Sequence, residues 1–449
     1  MGVVYSAVTA EEGSKPAVAL VNAGFKHDAE SAASHKGMPA LRIVFETVPC
    51  ECRVTEQIET GVSTAIDDIV TALTKPLTAE EQSPKPKEVE KPSRITFKGS
   101  LEEVNRFFYM RGWTDGLPVI PPTEETVRQM LTGTDLPPDY LLGKLGPRLG
   151  KATVEKIAIN AVMAGALPTY MPVLIAAVHA MLDPLSNAEG WSISAGSWAP
   201  FWIMNGPIRH DLHIRSGQGA LSPGEIANAT IGRAMALITQ NLRGVRHGVE
   251  CMGTLGNPMK YSMVVAENEE DSPWEPLHVE QGFKKEDSTV SLFFPNNLIM
   301  TGAYNTDDSG ILSGIIYNTS GGSALNCIML IPSHAKTLAN KGWTKEDIKK
   351  FISEYARRPL YQNRGSSIGV KGMPFNSQDT VSVMPDPNAI KVIVSGGAGN
   401  MIGIIKGAAG GITAGAGRGR LTTKKIELPA NWRELVQKYK NIVHTYALY

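Results

Sequence analysis

The chain is short of cysteine, of aromatic side chains, of any charge excess and of long apolar runs. Four cysteines in 449 residues cannot brace a disulfide scaffold. So few thiols, with no secretory pattern at the start, point to a reducing cytoplasm. Lysine plus arginine equals aspartate plus glutamate at 44 each, so no basic surplus advertises nucleic acid or an anionic membrane. Aromatics reach only 7 %, and none interleaves with a basic stretch. The most apolar segment, Ile157 to Leu182, is broken by Asn160, Pro168, Pro172 and His179. It falls short of the roughly 18 uninterrupted residues of a membrane span. It reads instead as two buried helices joined across Leu167 to Met171. MGVVYS fits the loose N-myristoylation pattern through Gly2 and Ser6, but without a basic patch the match reads as coincidence. What is present, 42 % hydrophobic residues, suits a soluble globular protein with core for roughly two or three domains.

A small unit comes first. Pro16–Asn22 and Leu41–Thr47 read as strands, with a polar helix between them near His27 to Lys36. Ile58, Val62, Ile66, Ile69 and Leu73 then recur at helical spacing and predict an inward face that stops at Pro76. The resulting βαβα unit, residues 1–77, is too small to bury both faces of a sheet. Residues 78–95, charged and proline-rich, form a linker. The rest, 96–449, reads as one large α/β domain with a mixed sheet and no visible internal repeat. Capping boxes at Ser100–Glu103, Ser222–Glu225 (with Pro223 at the first helical position) and Thr344–Asp347 open three helices. Ile348, Phe351, Ile352 and Tyr355 face inward on the third. Strands are expected at 201–204, 261–266, 289–294, 326–331 and 390–395.

Four places carry chemistry. The stretch YSMVVAENEEDSPWEPLHVEQGF stops a strand with Glu267, Glu269, Glu270 and Asp271, and follows with His278. Crowded acids raise one another's pKa, and a raised glutamate beside a histidine serves as a general acid near neutrality. Cys50 and Cys52, in PCEC after a strand, are two ordinary thiols, a redox pair or half of a soft metal site. No second pair or nearby histidine completes tetrahedral zinc. Cys251 and Cys327 read as small buried packing residues.

The third place is VIVSGGAGNMIG, where Gly396 and Gly397 offer backbone amides to a polar or anionic substrate. A nicotinamide fingerprint needs a helix next and an acid about 20 residues on, and neither follows, so no NAD is expected. The fourth combines Asp115, held in a proline-stiffened arm, with Asn205, Asn228 and Arg233, polar residues suited to a carboxylate or amide. His210 and His213 stand three apart but lack a third ligand, so a metal is possible and not indicated.

Together GWTDGLPVIPPT, the Ile159–Pro184 run, NGPI, ANATIGRA and AENEEDSPWEPLHVEQGFKKEDST resemble the large domain of the UGSC-family (seleno)proteins, across Gly112 to Pro359. ALVNAGF, KGMPALRIVFETVPCEC and ALTKPLTAEE resemble the later half of that family's small α/β domain, itself similar to selenoprotein B of glycine and betaine reductases. The family's name comes from a Sec- or Cys-Gly-Ser-Cys motif after the small domain's first strand. This chain has none and starts beyond the point where the resemblance places it. The resemblance therefore implies either a reactive residue on a separate subunit or a different chemistry.

The expectation is a subunit of a thiol- or selenol-dependent reductase or lyase that cleaves a carbon–heteroatom bond in a small polar substrate. Glu267, Glu269, Glu270 and His278, with Cys50 and Cys52, would be catalytic. Asp115, Asn205, Asn228, Arg233, Gly396 and Gly397 would bind substrate. A homo- or hetero-oligomer with a Cys/Sec-Gly-Ser-Cys subunit is the expected assembly. The alternatives are a cofactor-free or metal-assisted lyase or hydratase, and a non-catalytic scaffold.

Overall fold

The computed structural model describes residues 2–49, 52, 54–82, 95–319, 326–360, 378–407 and 420–443. The small unit runs α1 (Gly2–Glu12), β1 (Ala19–Asn22), α2 (Lys26–His35), β2 (Ile43–Glu46) and α3 (Thr55–Thr74). β1 and β2 pair in parallel, Ala19 opposite Ile43. The first helix had no signal in the sequence, because GVVYSAVTAEE carries neither a cap nor a charged face. It is held through Val4, Ala7 and Val8 against Ala19 and the alanines of α2.

The third helix corrects an expectation. Ile58, Val62, Ile66 and Leu73 are between 38 % and 48 % exposed, and the helix buries Gly61 and Ala65 instead. A Cβ on Gly61 would lie 2.1 Å from Val48 Cγ2, so the helix comes down on the end of β2 through its smallest residues. Its far end is tied by Arg42, which donates to the carbonyls of Ala72 (2.7 Å) and Lys75 (2.6 Å) and pairs with Glu81 (3.0 Å). The start of the linker is thereby docked, and residues 83–94 lie outside the described set. The unit reaches the rest of the chain through Ser31, which donates to the buried Glu250 at 2.7 Å.

In the remainder, the hairpin β3 (Leu141–Leu145) and β4 (Gly150–Thr153) leads into α4 (Val154–Ala164) and α5 (Met171–Leu182). These are the two buried helices expected, joined by a short turn at Pro168–Tyr170. Beside them lie two four-stranded sheets. The first takes β5 (Phe201–Asn205), β6 (Val264–Ala266) and β7 (Thr289–Phe293); the second takes β8 (Pro295–Gly302) and β9 (Asn326–Leu330). β10 (Arg357–Pro359) and β11 (Thr380–Ser382) make a separate ribbon. β12 (Ile390–Val394) and β13 (Met401–Gly407) complete the second sheet, and β14 (Thr422–Lys425) completes the first.

The order β6-β5-β7-β14 repeats as β12-β9-β13-β8. In each sheet an edge strand pairs in parallel with its neighbour, and the next two pairings are antiparallel. In chain order the halves read β5-β6-β7-β8 and β9-β12-β13-β14. Each half therefore gives its last strand to the other half's sheet. The large region is a duplicated unit with exchanged strands, a repeat the sequence did not show.

Helices α6 (Ile208–Asp211) and α7 (Ile226–Asn241) link β5 to β6, and α8 (Pro332–Asn340) and α9 (Lys345–Tyr355) lie between β9 and β12. The box expected at Ser222 does not form: α7 starts at Ile226 with no side-chain cap, because the Glu225 carboxylate is drawn to Arg215. The Ser100 and Thr344 boxes form as read. On α9, Ile348 and Ile352 are buried, but Tyr355 stays exposed, stacked on Phe351. No helix among the described residues is long and apolar enough to cross a membrane.

Candidate functional site

The carboxyl ends of β5, β6, β9 and β12 converge, and Glu267 leaves β6 into the middle of them. The residue is fully buried. One of its oxygens accepts from Asn205 Nδ2 and the Leu277 amide, both at 2.8 Å. The other accepts from Lys345 Nζ and the Val394 amide, both at 3.4 Å. It joins the end of β5 to the end of β12, one sheet to the other. Lys345, on α9, also reaches Glu280 at 2.7 Å. Burial works against its ammonium, but Glu267 and Glu280 outweigh it and the pKa is raised.

The neighbouring acids are gripped rather than crowded. Glu269 accepts from Gly206 N (2.7 Å) and Asn205 Nδ2 (3.0 Å), with Arg209 Nε at 3.1 Å. Glu270 is forked by Arg209 at 2.9 and 3.2 Å and takes His210 Nε2 at 2.8 Å. These hydrogen bonds, Arg209's first, hold the Glu270 carboxyl at about 2, against its desolvation. Hydrogen bonds from Asn268 and Lys336 lower Asp271 in the same direction. The expectation of raised acids is thus reversed at both positions. The cause is Arg209, a buried guanidinium that sequence reasoning missed. Its only signal was an arginine in NGPIRHD, one turn past a strand.

A depressed carboxyl stabilises the fold fully above its unfolded pKa and loses that contribution as pH falls through its folded one. The stability gap between wild type and Glu270→Gln is therefore expected to close as pH falls from about 4.5 to about 2, as urea melts at stepped pH will show. A gap constant across that range would contradict the Arg209 pairing.

His278 is buried, with Nε2 3.3 Å from the Lys285 carbonyl and Nδ1 4.0 Å from Glu269 without a hydrogen-bond partner. Asp115 and Arg233 consume each other at 2.8 and 3.0 Å, and Arg233 also takes the Pro118 carbonyl, stapling the proline arm to α7. Asn228 bridges the Arg215 amide and the Val264 carbonyl. Asn205 spends its amide nitrogen on Glu267 and Glu269. Gly396 adopts φ 102° and donates to the Ser216 carbonyl at 2.8 Å, and Gly397 packs on Gln218 too closely for any Cβ.

Cys50 lies outside the described residues. Cys52 is half-buried, its sulfur 3.1 Å from Gln57 Oε1. Cys327 is buried, and burial pushes its thiol far up, as befits a packing residue. Cys251 departs from that role: it is half-buried, with Lys260 Nζ 3.0 Å from its sulfur.

Beside the acids the segment after β5 lines a cleft of about 350 Å³, with Arg209, His210, His213, Arg215, Ser216 and Glu225 among its walls. The rim is fixed by the C-terminal helix Trp432–Tyr439: Trp432 Nε1 donates to Asp211 at 2.9 Å, and His213 Nε2 meets the Lys440 carbonyl at 3.0 Å. Among the described residues no three His, Cys, Asp or Glu side chains are placed to hold a metal ion.

Comparison with known proteins finds one family, UGSC, whose model matches residues 2–75. The similarity to that family is confined to the small unit. The match covers its α1 to α3, about one-sixth of the chain. It does not extend over the two sheets and the cleft, where the sequence resemblance was densest. No curated protein and no solved structure matches the chain.

Proposed function

We propose that this chain is the substrate-binding and proton-transfer subunit of a thiol- or selenol-dependent reductase or lyase acting on a small anionic molecule in the Arg209–Arg215 cleft. The observation that carries the reading is the His210–Glu270 pair at the cleft wall, between two arginines. The cleft lies at the carboxyl ends of parallel strands, where α/β folds commonly bind ligands. Arg209 is committed to Glu269 and Glu270, but Arg215, 29 % exposed, keeps N–H groups beyond those given to Glu225 and Gln218 that suit a carboxylate. With Nε2 engaged by an ionised Glu270, His210 has Nδ1 free to exchange a proton with substrate. The small unit's match to the UGSC model supports the thiol part. A thiolate or selenolate, from Cys52 or from a partner subunit, forms a bond to carbon. The heteroatom leaves with the bonding pair and takes the Nδ1 proton of His210 in its imidazolium form, the Nε2–H staying on Glu270.

Calorimetric titration of the full chain with short 2-hydroxy and 2-amino carboxylates tests the site. At least one is expected to bind saturably, and His210→Asn should weaken it by about tenfold or more, the worth of one hydrogen bond to a charged group. Absence of any saturable carboxylate, or unchanged affinity in His210→Asn, would remove the cleft from consideration.

A further inference from the structure

The duplication allows the two strand-end loops to be compared position by position. Met204 stands opposite Ala266 in the first sheet, and Leu330 opposite Val394 in the second. Glu267 therefore answers to Ser395, Glu269 to Gly397 and Glu270 to Ala398. In the first half the chain's own carboxylates fill the space beyond the strand ends. In the second half the loop brings none: Ser395 spends its hydroxyl on the carbonyls of Ala266 (2.9 Å) and Ser216 (3.0 Å), and Gly396 to Gly399 carry no polar side chain.

This loop runs across the first turn of α8. At one end a Cβ on Gly396 would lie 3.1 Å from Ile331 Cγ2. At the other Asn400 Oδ1 lies 3.0 Å from His334 Nε2. Pro332 opens the helix, so the next amides, of Ser333 and His334, have no acceptor within it. Gly399, at φ 154°, has open space on its Cβ side. His334 is only 3 % exposed, yet its Nδ1 has no hydrogen-bond partner. A side chain in the first turn leans back toward the helix start, which sets this ring between turn and loop.

The tautomer follows from the neighbours. Asn400 Nδ2 is held by the Ala303 carbonyl at 3.3 Å, so Oδ1 faces His334 and Nε2 must carry the proton. Burial lowers the His334 pKa, with the Asn400 bond pulling weakly the other way, so the ring is neutral and Nδ1 is a bare acceptor. The open side of the exposed Ala398–Asn400 stretch thus offers amide donors near one buried acceptor. Donors alone suit any oxyanion, whereas the acceptor requires an O–H on the same ligand.

We propose that the loop Ser395–Asn400 and the first turn of α8 form a second ligand site, for a hydrogen-bearing phosphate, either monohydrogen phosphate or the monoanion of a phosphomonoester. Its oxygens take the amides of Ser333, His334 and the glycine loop beyond Gly396, whose own amide is held by Ser216, and its hydroxyl donates to His334 Nδ1. Sulfate, with no proton near neutral pH, presents only lone pairs to Nδ1 and is refused.

The test is calorimetry on the full chain near pH 6, where about half of a phosphomonoester keeps its proton, with inorganic phosphate, glycerol phosphate and sulfate in separate titrations. Saturable binding of either phosphate with none of sulfate is expected. Ala398→Asp, at an exposed non-glycine position, supplies the carboxylate that the first half has at Glu270, and should weaken phosphate by more than about tenfold. His210→Asn, in the cleft, should leave phosphate binding unchanged, which separates this site from the carboxylate cleft. A nitrogen-15 spectrum of wild type gives a reading free of variants: the His334 Nδ1 resonance moves toward a hydrogen-bonded value on adding phosphate. Equal binding of sulfate, full phosphate affinity in Ala398→Asp, loss of it in His210→Asn, or no phosphate binding at all would each overturn the proposal.

Discussion

Replacing Glu267 by Gln is expected to cost about 3–5 kcal/mol of stability, more than any other single isosteric change in the acidic stretch. Both carboxylate oxygens face only donors: Asn205 Nδ2 and the Leu277 amide on one side, Lys345 Nζ and the Val394 amide on the other. A glutamine must turn its NH₂ toward one of these pairs, donor against donor. It also leaves the buried Lys345 ammonium with less compensating charge. Because the residue spans two sheets, the loss falls on the whole large region. It should appear as a lower urea midpoint with an unchanged slope. Glu270→Gln, at a half-exposed site, should lose far less at neutral pH. A Glu267→Gln protein within about 1 kcal/mol of wild type would show that this carboxylate is not what holds the sheets together, and would return it to the list of candidate acids.

The second large effect concerns the small unit that matches the UGSC model. Residues 1–77 expressed alone are expected to stay unfolded, with a narrow amide spectrum and no cooperative melt. The unit has a two-stranded sheet, and a two-stranded sheet needs further strands or helices packed on a hydrophobic face. Its core is Val4, Ala7, Val8, Ala19, Ala29, Ala32 and Ala33, where five of seven members are alanines that bury little area. Its longest helix leaves Ile58, Val62, Ile66 and Leu73 in water. The Ser31–Glu250 bond and its surroundings are missing from the fragment. A dispersed spectrum with a sharp thermal transition would mean that this small core suffices.

What the sequence disclosed, and what it withheld, divides along physical lines. Capping boxes at Ser100 and Thr344 were readable because both partners lie within one turn. At Ser222 the same pattern misled, since Arg215, ten residues before Glu225, competes for its carboxylate. Periodicity in α3 marked an apolar face correctly but could not say whether anything covers it. The acidic stretch was found as a site of interest, yet its electrostatics were read with the wrong sign. Acids in a row repel only until a guanidinium is folded between them, and Arg209 arrives from about 60 residues away in the chain. The duplication left no trace because strand order and hydrogen-bond direction are shared, while the corresponding loops, Glu-Asn-Glu-Glu-Asp and Ser-Gly-Gly-Ala-Gly, have no residue in common.

The exchange of last strands bears on how the protein is made. β7 cannot acquire its outer neighbour until Thr422–Lys425 has left the ribosome, well over a hundred residues after β7 itself. During that interval the growing chain carries an uncapped apolar edge, TVSLF, of the kind that recruits other chains. Contacts so distant in sequence also slow the final closure, since loop entropy must be lost before the pairing forms. Slower synthesis is then expected to prolong the interval in which that edge stands open, and chaperones that cover it to raise the yield of native protein.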